Sequence, residues 1–205
     1  DVTAGAPLHL DKQVPSGAGL GSGSSDAAAT LRLLSELWEL APPPHALHDI
    51  GASIGSDVPF FLQDEPAAYA TGRGDQLSPL TSDDAPFRLS APVLIVAPEA
   101  HVSTPDAYAQ VTPSAAGRPS LPGLVKTEDL PRWGTALTND FEAPVAAAEP
   151  AVAATLRTLR TTDAGYVSLS GSGGAAYAVY DTAAAAREAR AAVQSATRRV
   201  HLMLP

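Results

Sequence analysis

The sequence predicts an α+β protein built in two parts, and three observations carry that expectation. A glycine-rich loop, residues 15–25, lies between a short alternating segment and a helix-patterned one. A polar, Pro-containing stretch from Thr81 to Pro92 separates this region from the rest of the chain. Beyond it the elements read helix, strand, turn, strand, helix, strand, the order of an antiparallel α+β sandwich of the ferredoxin-like kind. The division is expected between residues 1–80 and 81–205.

Taken in order, Leu8 to Val14 alternates apolar and polar side chains and reads as a short strand. After the glycine-rich loop, Ala27, Leu31, Leu34 and Trp38 recur every three or four residues, so they share one helix face. Ser24 or Ser25 is the expected cap, with Asp26 in the first turn where the helix dipole favours it. Pro42, Pro43 and Pro44 end that helix. A second helix is expected from His45 to Ile54, and then a turn at Gly55–Asp57 enters an extended apolar stretch, Val58–Leu62. Ala67 to Leu80 is strand-like, interrupted by Gly72-Arg73-Gly74-Asp75. Val93–Val96 reads as a buried strand, and Pro113–Pro131 as a surface excursion. Helices are expected at Asn139–Ala148, Ala151–Arg160 and Ala183–Ala196. Strands are expected at Tyr166–Leu169, Ala175–Tyr180 and Val200–Leu204.

Composition excludes several classes. With 22 acidic and 13 basic side chains the net charge is −9, against a nucleic-acid or anionic-membrane surface, which needs clustered cations. There are no cysteines, so disulfides, thiolate chemistry and cysteine-held metal centres are out. Lysine occurs at positions 12 and 126 alone, which narrows any lysine-dependent site. No apolar run reaches membrane-spanning length, and no charged-then-apolar leader is visible. These features point to a cytoplasmic protein.

The chemistry concentrates in Pro15-Ser16-Gly17-Ala18-Gly19-Leu20-Gly21-Ser22-Gly23-Ser24-Ser25. Alternating glycines let backbone N–H groups turn toward an anion, and a helix N-terminus behind them adds unpaired donors. Ser22, Ser24 and Ser25 add hydroxyls for phosphate oxygens or a magnesium ion. The P-loop pattern fails because no lysine ends the run, and the dinucleotide fingerprint fails at position 22, which is serine. A flexible strand–helix connection is the plain alternative. Elsewhere, Gly51-Ala52-Ser53-Ile54-Gly55 matches the nucleophile-elbow pattern of hydrolases, but its helix and strand come in the wrong order. His45 and His48 lack a carboxylate partner set for a metal and read as surface residues of the second helix.

The loop together with Asp26-Ala27-Ala28 resembles the phosphate loop of the GHMP kinase superfamily. The run Ile50-Gly51-Ala52-Ser53-Ile54-Gly55-Ser56-Asp57-Val58-Pro59-Phe60-Phe61 is a more specific signature within it. Gly72-Arg73-Gly74-Asp75, Val102-Ser103-Thr104, Asn139-Asp140-Phe141-Glu142 and Leu169-Ser170-Gly171-Ser172-Gly173 come in the family's order. The resemblance covers nearly the whole chain. It implies a ribosomal protein S5 domain 2-like N-terminal part, carrying ATP binding and catalysis, and a ferredoxin-like C-terminal domain. It implies ATP with Mg2+ and no resident metal, with Pro15, Ser16, Gly17, Ala18, Gly19, Leu20, Gly21, Ser22, Gly23, Ser24 and Ser25 around the nucleotide. Asp57 is assigned to take the proton of an alcohol substrate. Read alone, it is better explained as a turn aspartate binding backbone N–H groups.

Thr104 and Tyr108, four apart on a helix capped by Ser103, face the cytidine end of the substrate in the resembling kinases; an ordinary cap and a half-buried tyrosine explain them equally. The Ser170–Gly173 run belongs beside the cleft by resemblance, although a tight turn accounts for it. Two departures stand out. Ser22 replaces a usual glycine. The family's Pro-Ala-Lys-like strand is absent, Lys12 is not its lysine, and a segment ahead of Asp1 is expected to carry it. The expected partner is a small molecule, with no nucleic acid or membrane, in a monomer or weak homodimer. The rival readings are a GHMP kinase for homoserine, mevalonate or a sugar, and a nucleotide-binding fragment without catalysis.

Overall fold

A computed structural model describes residues 5–112, 117–194 and 199–205. The chain falls into two compact units, Asp1–Pro15 with Gly21–Arg88 and Ser16–Leu20 with Leu89–Pro205.

The first unit contains α1 (Ser22–Leu37), α2 (Pro44–Ile54), α3 (Val58–Leu62) and two hairpins, β1 (Ala68–Thr71) with β2 (Gln76–Pro79) and β3 (Thr81–Ser82) with β4 (Ala85–Pro86). Helix α1 begins three or four residues earlier than a cap at Ser24 or Ser25 suggests. Gly21, at φ 62°, takes the N-cap position without a side-chain bond, so Ser22–Ser25 form the first turn and Asp26 lies beyond it. The apolar stripe Ala27, Leu31, Leu34 and Trp38 is half-buried, with Ala28 fully buried beside it. Pro44 occupies the first turn of α2, where a missing N–H costs nothing.

Two expectations fail in this unit. Residues 8–14 form no strand: Leu8 and Leu10 are 65% and 61% exposed, and no strand among the described residues pairs with them. Alternation needs a ladder partner before it becomes a strand. Val58–Leu62 is a short helix rather than an extended stretch. Pro59 sits in its first turn, where its fixed φ suits a helix, and Val58 and Pro59 are buried.

The second unit is built on β5 (Val93–Ala97), followed by α4 (Thr104–Ala109), α5 (Leu121–Val125), α6 (Leu130–Ala136), α7 (Glu142–Ala148) and α8 (Pro150–Arg160). It ends with β6 (Tyr166–Leu169), β7 (Ala176–Val179), α9 (Ala183–Gln194) and β8 (Arg199–Met203). The four strands form one antiparallel sheet in the order β6-β7-β5-β8, with the first strand central and the last at an edge. That is the ferredoxin-like order.

Because side chains alternate across a strand, each strand serves two cores. Leu94, Val96, Leu169, Ala176 and Ala178 face one way and pack with Val152, Leu156 and Leu159 of α8 and Ala186, Ala189 and Val193 of α9. Val93, Tyr166, Tyr177 and Val179 join a second cluster with Leu124, Leu130 and Trp133. The expected surface excursion therefore contains the short helix α5 and runs into α6, and both anchor on the sheet. The Trp133 indole donates to the Leu124 carbonyl at 2.9 Å and meets Tyr166 edge-on. Helix α7 starts at Glu142 rather than Asn139, and residues 113–116 of the expected excursion and 195–196 of the expected last helix lie outside the described residues.

Candidate active site

The glycine loop is shared between the two units, and each part is held differently. In the second unit, the Ala18 carbonyl accepts a hydrogen bond from the Ala175 N–H at 2.9 Å, and the Gly19 carbonyl accepts the Ser170 hydroxyl at 2.7 Å. The approach is backbone on backbone: a Cβ placed on Gly19 would lie 1.9 Å from the Ser170 carbonyl oxygen. One placed on Gly173 would lie 2.0 Å from the Gly19 nitrogen. The turn Ser170–Gly174 is thus a docking surface for residues 18–19, a role its sequence does not display.

The turn has its own supports. Asn139 donates its side-chain amide to the carbonyls of Leu169 (2.9 Å) and Gly171 (2.8 Å) and accepts the Phe141 N–H at 2.9 Å. The Glu142 carboxylate accepts the Leu169 N–H at 3.1 Å and pairs with Arg160. Sequence reasoning finds Asn139–Glu142 as a motif without assigning these roles. The signal lies in two side chains able to bind backbone just before a helix.

In the first unit, Gly21–Ser25 open a 16-residue helix with no acidic side chain in its first turn. Its first N–H groups have no intrahelical acceptor, and the positive end of the dipole lies there. Ser22 is not free to reach outward in this geometry, because its hydroxyl donates to the Pro15 carbonyl at 3.1 Å. Lys12 pairs with Asp26, tying the segment before the loop to the second turn of α1. The Gly55-Ser56-Asp57 corner lies by this helix end: a Cβ on Gly55 would be 4.0 Å from the Ser24 hydroxyl oxygen. A Cβ on Gly21 would be 2.9 Å from the ring of Phe61, so α3 backs the helix start.

Asp57 is exposed and stands at the N-cap of α3, yet its carboxylate caps nothing. It accepts a hydrogen bond from the Ser56 hydroxyl at 3.2 Å. A Cβ on Gly74 would be 3.3 Å from an Asp57 oxygen, so the β1–β2 hairpin turn flanks the carboxylate. In that turn Arg73 pairs with Asp75 at 2.8 Å, and this hydrogen bond holds the Asp75 carboxyl below its ordinary pKa. Ser53, by contrast, is a helix residue whose hydroxyl returns to the Ile50 carbonyl at 2.7 Å, which removes the nucleophile-elbow reading.

Thr104 opens α4, and Ser103 caps it by accepting the Asp106 N–H at 3.4 Å. Tyr108 is 61% exposed, with its ring centroid 4.8 Å from that of Phe141. An exposed aromatic ring resting tilted against a second ring is suited to stacking a planar base. Deeper in the same unit, burial pushes the Tyr177 hydroxyl far above its usual pKa, and neighbouring Tyr166 adds to the rise. Among the described residues no group of three His, Asp or Glu is placed to hold a metal ion, and no helix is long and apolar enough to cross a membrane.

A glycine loop leading into a long helix, an exposed carboxylate that caps no helix, and a ferredoxin-like sheet whose turn holds residues 18–19 are the features of a small-molecule kinase. The model of the GHMP kinases N terminal domain matches residues 2–65, and that of the GHMP kinases C terminal matches residues 120–198. The chain belongs to the GHMP kinases. It is 59% identical over 203 residues to the 4-diphosphocytidyl-2-C-methyl-D-erythritol kinase of Salinibacter ruber, covering 99% of this chain and 72% of that protein. It is 39% identical over 206 residues to the kinase of the same name from Chlorobium phaeobacteroides, covering 98% and 68%. A crystal structure of 4-(cytidine 5'-diphospho)-2C-methyl-D-erythritol kinase superposes with a TM-score of 0.73 at 32% identity, covering 94% of this chain and 68% of that one.

Proposed function

We propose that this kinase uses ATP to phosphorylate the 2-hydroxyl of 4-diphosphocytidyl-2-C-methyl-D-erythritol, a step of the non-mevalonate isoprenoid route. The observation that carries the proposal is the 59% identity, over nearly the whole chain, to a kinase named for that alcohol. Residues 1–80 take the nucleotide-binding and catalytic part, and residues 81–205 the C-terminal part.

Pro15 to Ser25 receive the ATP phosphates. Support comes from the positive φ of Gly17, Gly19 and Gly21, and from the acid-free first turn of α1. A Mg2+ ion carried in with the triphosphate would offset its charge. Ser24 and Ser25 are the candidate protein hydroxyls. Asp57 accepts the proton of the alcohol as its oxygen bonds to the γ-phosphorus, while the bond from that phosphorus to the β–γ bridging oxygen breaks and ADP leaves. Its exposed carboxylate, which caps no helix and accepts the Ser56 hydroxyl, supports that role. Tyr108 stacks on the cytosine and Thr104 adds a polar contact. The net charge of −9 supports a small-molecule partner rather than a nucleic acid, and the reading includes a cytoplasmic monomer or weak homodimer.

Asp57→Ala and Asp57→Asn in the full chain test the central assignment. The expected result is a fall in kcat of about 10²- to 10⁴-fold with little change in KM for ATP. A fall below about tenfold, roughly 1.4 kcal/mol of barrier, removes Asp57 as proton acceptor. Turnover of homoserine, mevalonate or a hexose in preference to the cytidine-bearing alcohol overturns the substrate.

A further inference from the structure

The four residues Asn139–Glu142 do more than begin a helix. Asn139 grips two carbonyls of the turn after β6, at Leu169 and Gly171, through one amide group. Glu142 takes the Leu169 N–H between them and is itself held by Arg160 of α8. The gripped turn then meets residues 18–19 through the Ser170 hydroxyl, the Ala175 N–H and the Gly19–Gly173 backbone approach. A chain of direct contacts therefore runs from α8 to the glycine loop inside one unit. We propose that Asn139 and Glu142 are positioning residues that set the shape of the glycine loop by clamping the turn 169–173. They touch no substrate. The proposal rests on reading residues 15–25 as the phosphate loop.

The physical case is one of rigidity. Glycines at 17, 19 and 21 leave that loop with many accessible backbone states, and ordering it on nucleotide binding costs entropy. Docking residues 18–19 on a fixed turn removes part of that cost beforehand, which lowers KM for the nucleotide. The fixity must come from somewhere, because the turn is itself rich in glycine and serine. Two buttressing side chains, each bonded to the backbone of the turn, supply it.

Asn139→Asp is the discriminating variant. It keeps an oxygen to accept the Phe141 N–H, so the start of α7 retains its support, but it sets carboxylate oxygen against two carbonyl oxygens. Expected is a rise of at least about tenfold in KM for ATP, with kcat at saturating ATP and KM for the alcohol changing by less than about twofold. Ser170→Ala, which deletes the single bond to the Gly19 carbonyl, moves KM for ATP the same way by about threefold. Glu142→Gln keeps an acceptor for Leu169 and loses the charge pair, and falls between the two.

Hydrogen exchange on the substrate-free proteins supplies a readout independent of catalysis. The Gly173 and Ala175 amides, bonded to the Ser170 and Ala18 carbonyls, exchange about tenfold faster in Asn139→Asp, while amides in the middle of β7 do not change. Unchanged exchange at those amides, or an unchanged KM for ATP in an active enzyme, overturns the proposal. So does a proportional loss in all kinetic constants with a lowered melting temperature, which marks a merely structural role. Faster exchange in a parent chain that transfers no phosphate upholds the clamp and sinks the kinase reading instead.

Discussion

Gly19 and Gly23 are two members of one alternating run, and they are glycine for opposite reasons. A Cβ on Gly19 would meet backbone at 1.9 Å, whereas one on Gly23 would meet nothing within 4 Å. The first position is closed by protein, together with its counterpart Gly173, whose Cβ would lie 2.0 Å from the Gly19 nitrogen. The second is open and lies in the first turn of α1, among N–H groups without intrahelical partners. Identical letters thus mark a packing requirement in one place and an access requirement in the other.

The largest effect that would break this contrast is expected at the closed pair. Gly173→Ala drives a methyl into backbone atoms, which no rotamer change can relieve, so the turn or the loop must move. Loss of about 2–4 kcal/mol of stability is expected, read by urea denaturation. Gly19→Ala adds the strain of a non-glycine residue at φ 76° to the same overlap, and should cost at least as much. A cost below about 1 kcal/mol for Gly173→Ala shows that the approach is not needed.

Gly23→Ala sharpens the contrast from the other side, with a smaller effect. Replacing glycine by alanine in a helix with room for the methyl stabilises by about 0.5–1 kcal/mol. The same methyl projects beside the donors proposed for phosphate, so KM for ATP should rise by about three- to tenfold while the melting temperature rises too. Stability and nucleotide affinity moving in opposite directions is the signature. If both improve, the open glycine serves no anion.

Much of this fold is legible without any coordinate. The α1 stripe and the ferredoxin-like order depend on local periodicity and element sequence, and both are present. The Ser-Gly-Ser-Gly turn is visible as a turn. Its function as a dock is not, because the contacts join residues 18–19 to residues 170–175, far apart in the chain, through one serine hydroxyl and a close backbone approach that no local pattern announces. Residues 8–14 mislead for a related reason: alternation states a preference for a sheet, and the described residues offer no partner. Val58–Leu62 mislead through Pro59, which excludes a central strand and also suits a first helical turn. The candidate site is found by motif, at Asp57 and in the glycine run. Its supports at Asn139, Glu142 and the Gly74 turn depend on tertiary contact, which periodicity does not encode.

Gly74 is intermediate between the two glycine types, and the smallest expected effect belongs to its turn. At φ 101° it sits where side chains are disfavoured, and its Cβ would be 3.3 Å from an Asp57 oxygen, a contact a small shift can absorb. The turn is closed by Arg73 and Asp75, whose hydrogen bond depresses the Asp75 pKa. For a carboxyl depressed in the folded state, the stabilising interaction is complete above the unfolded value of about 3.9 and fades as pH falls through the lower, folded value. Asp75 therefore contributes nothing to pH dependence between about 5 and 8, where turnover is measured. Because Arg73 is exposed and the pair lies at the surface, where solvent screens it, Asp75→Asn should leave the melting temperature nearly unchanged and alter kcat by less than about twofold. The informative measurement is an NMR titration of the Asp75 carboxyl, with a midpoint expected below that of a model aspartate. A midpoint at or above about 3.9 would show that Arg73 is not its partner in solution. The turn beside Asp57 would then be held by the β1–β2 ladder, the Gly74 N–H bond to the Thr71 carbonyl and the Thr71 hydroxyl on Gln76, with glycine serving there for a third reason distinct from the other two.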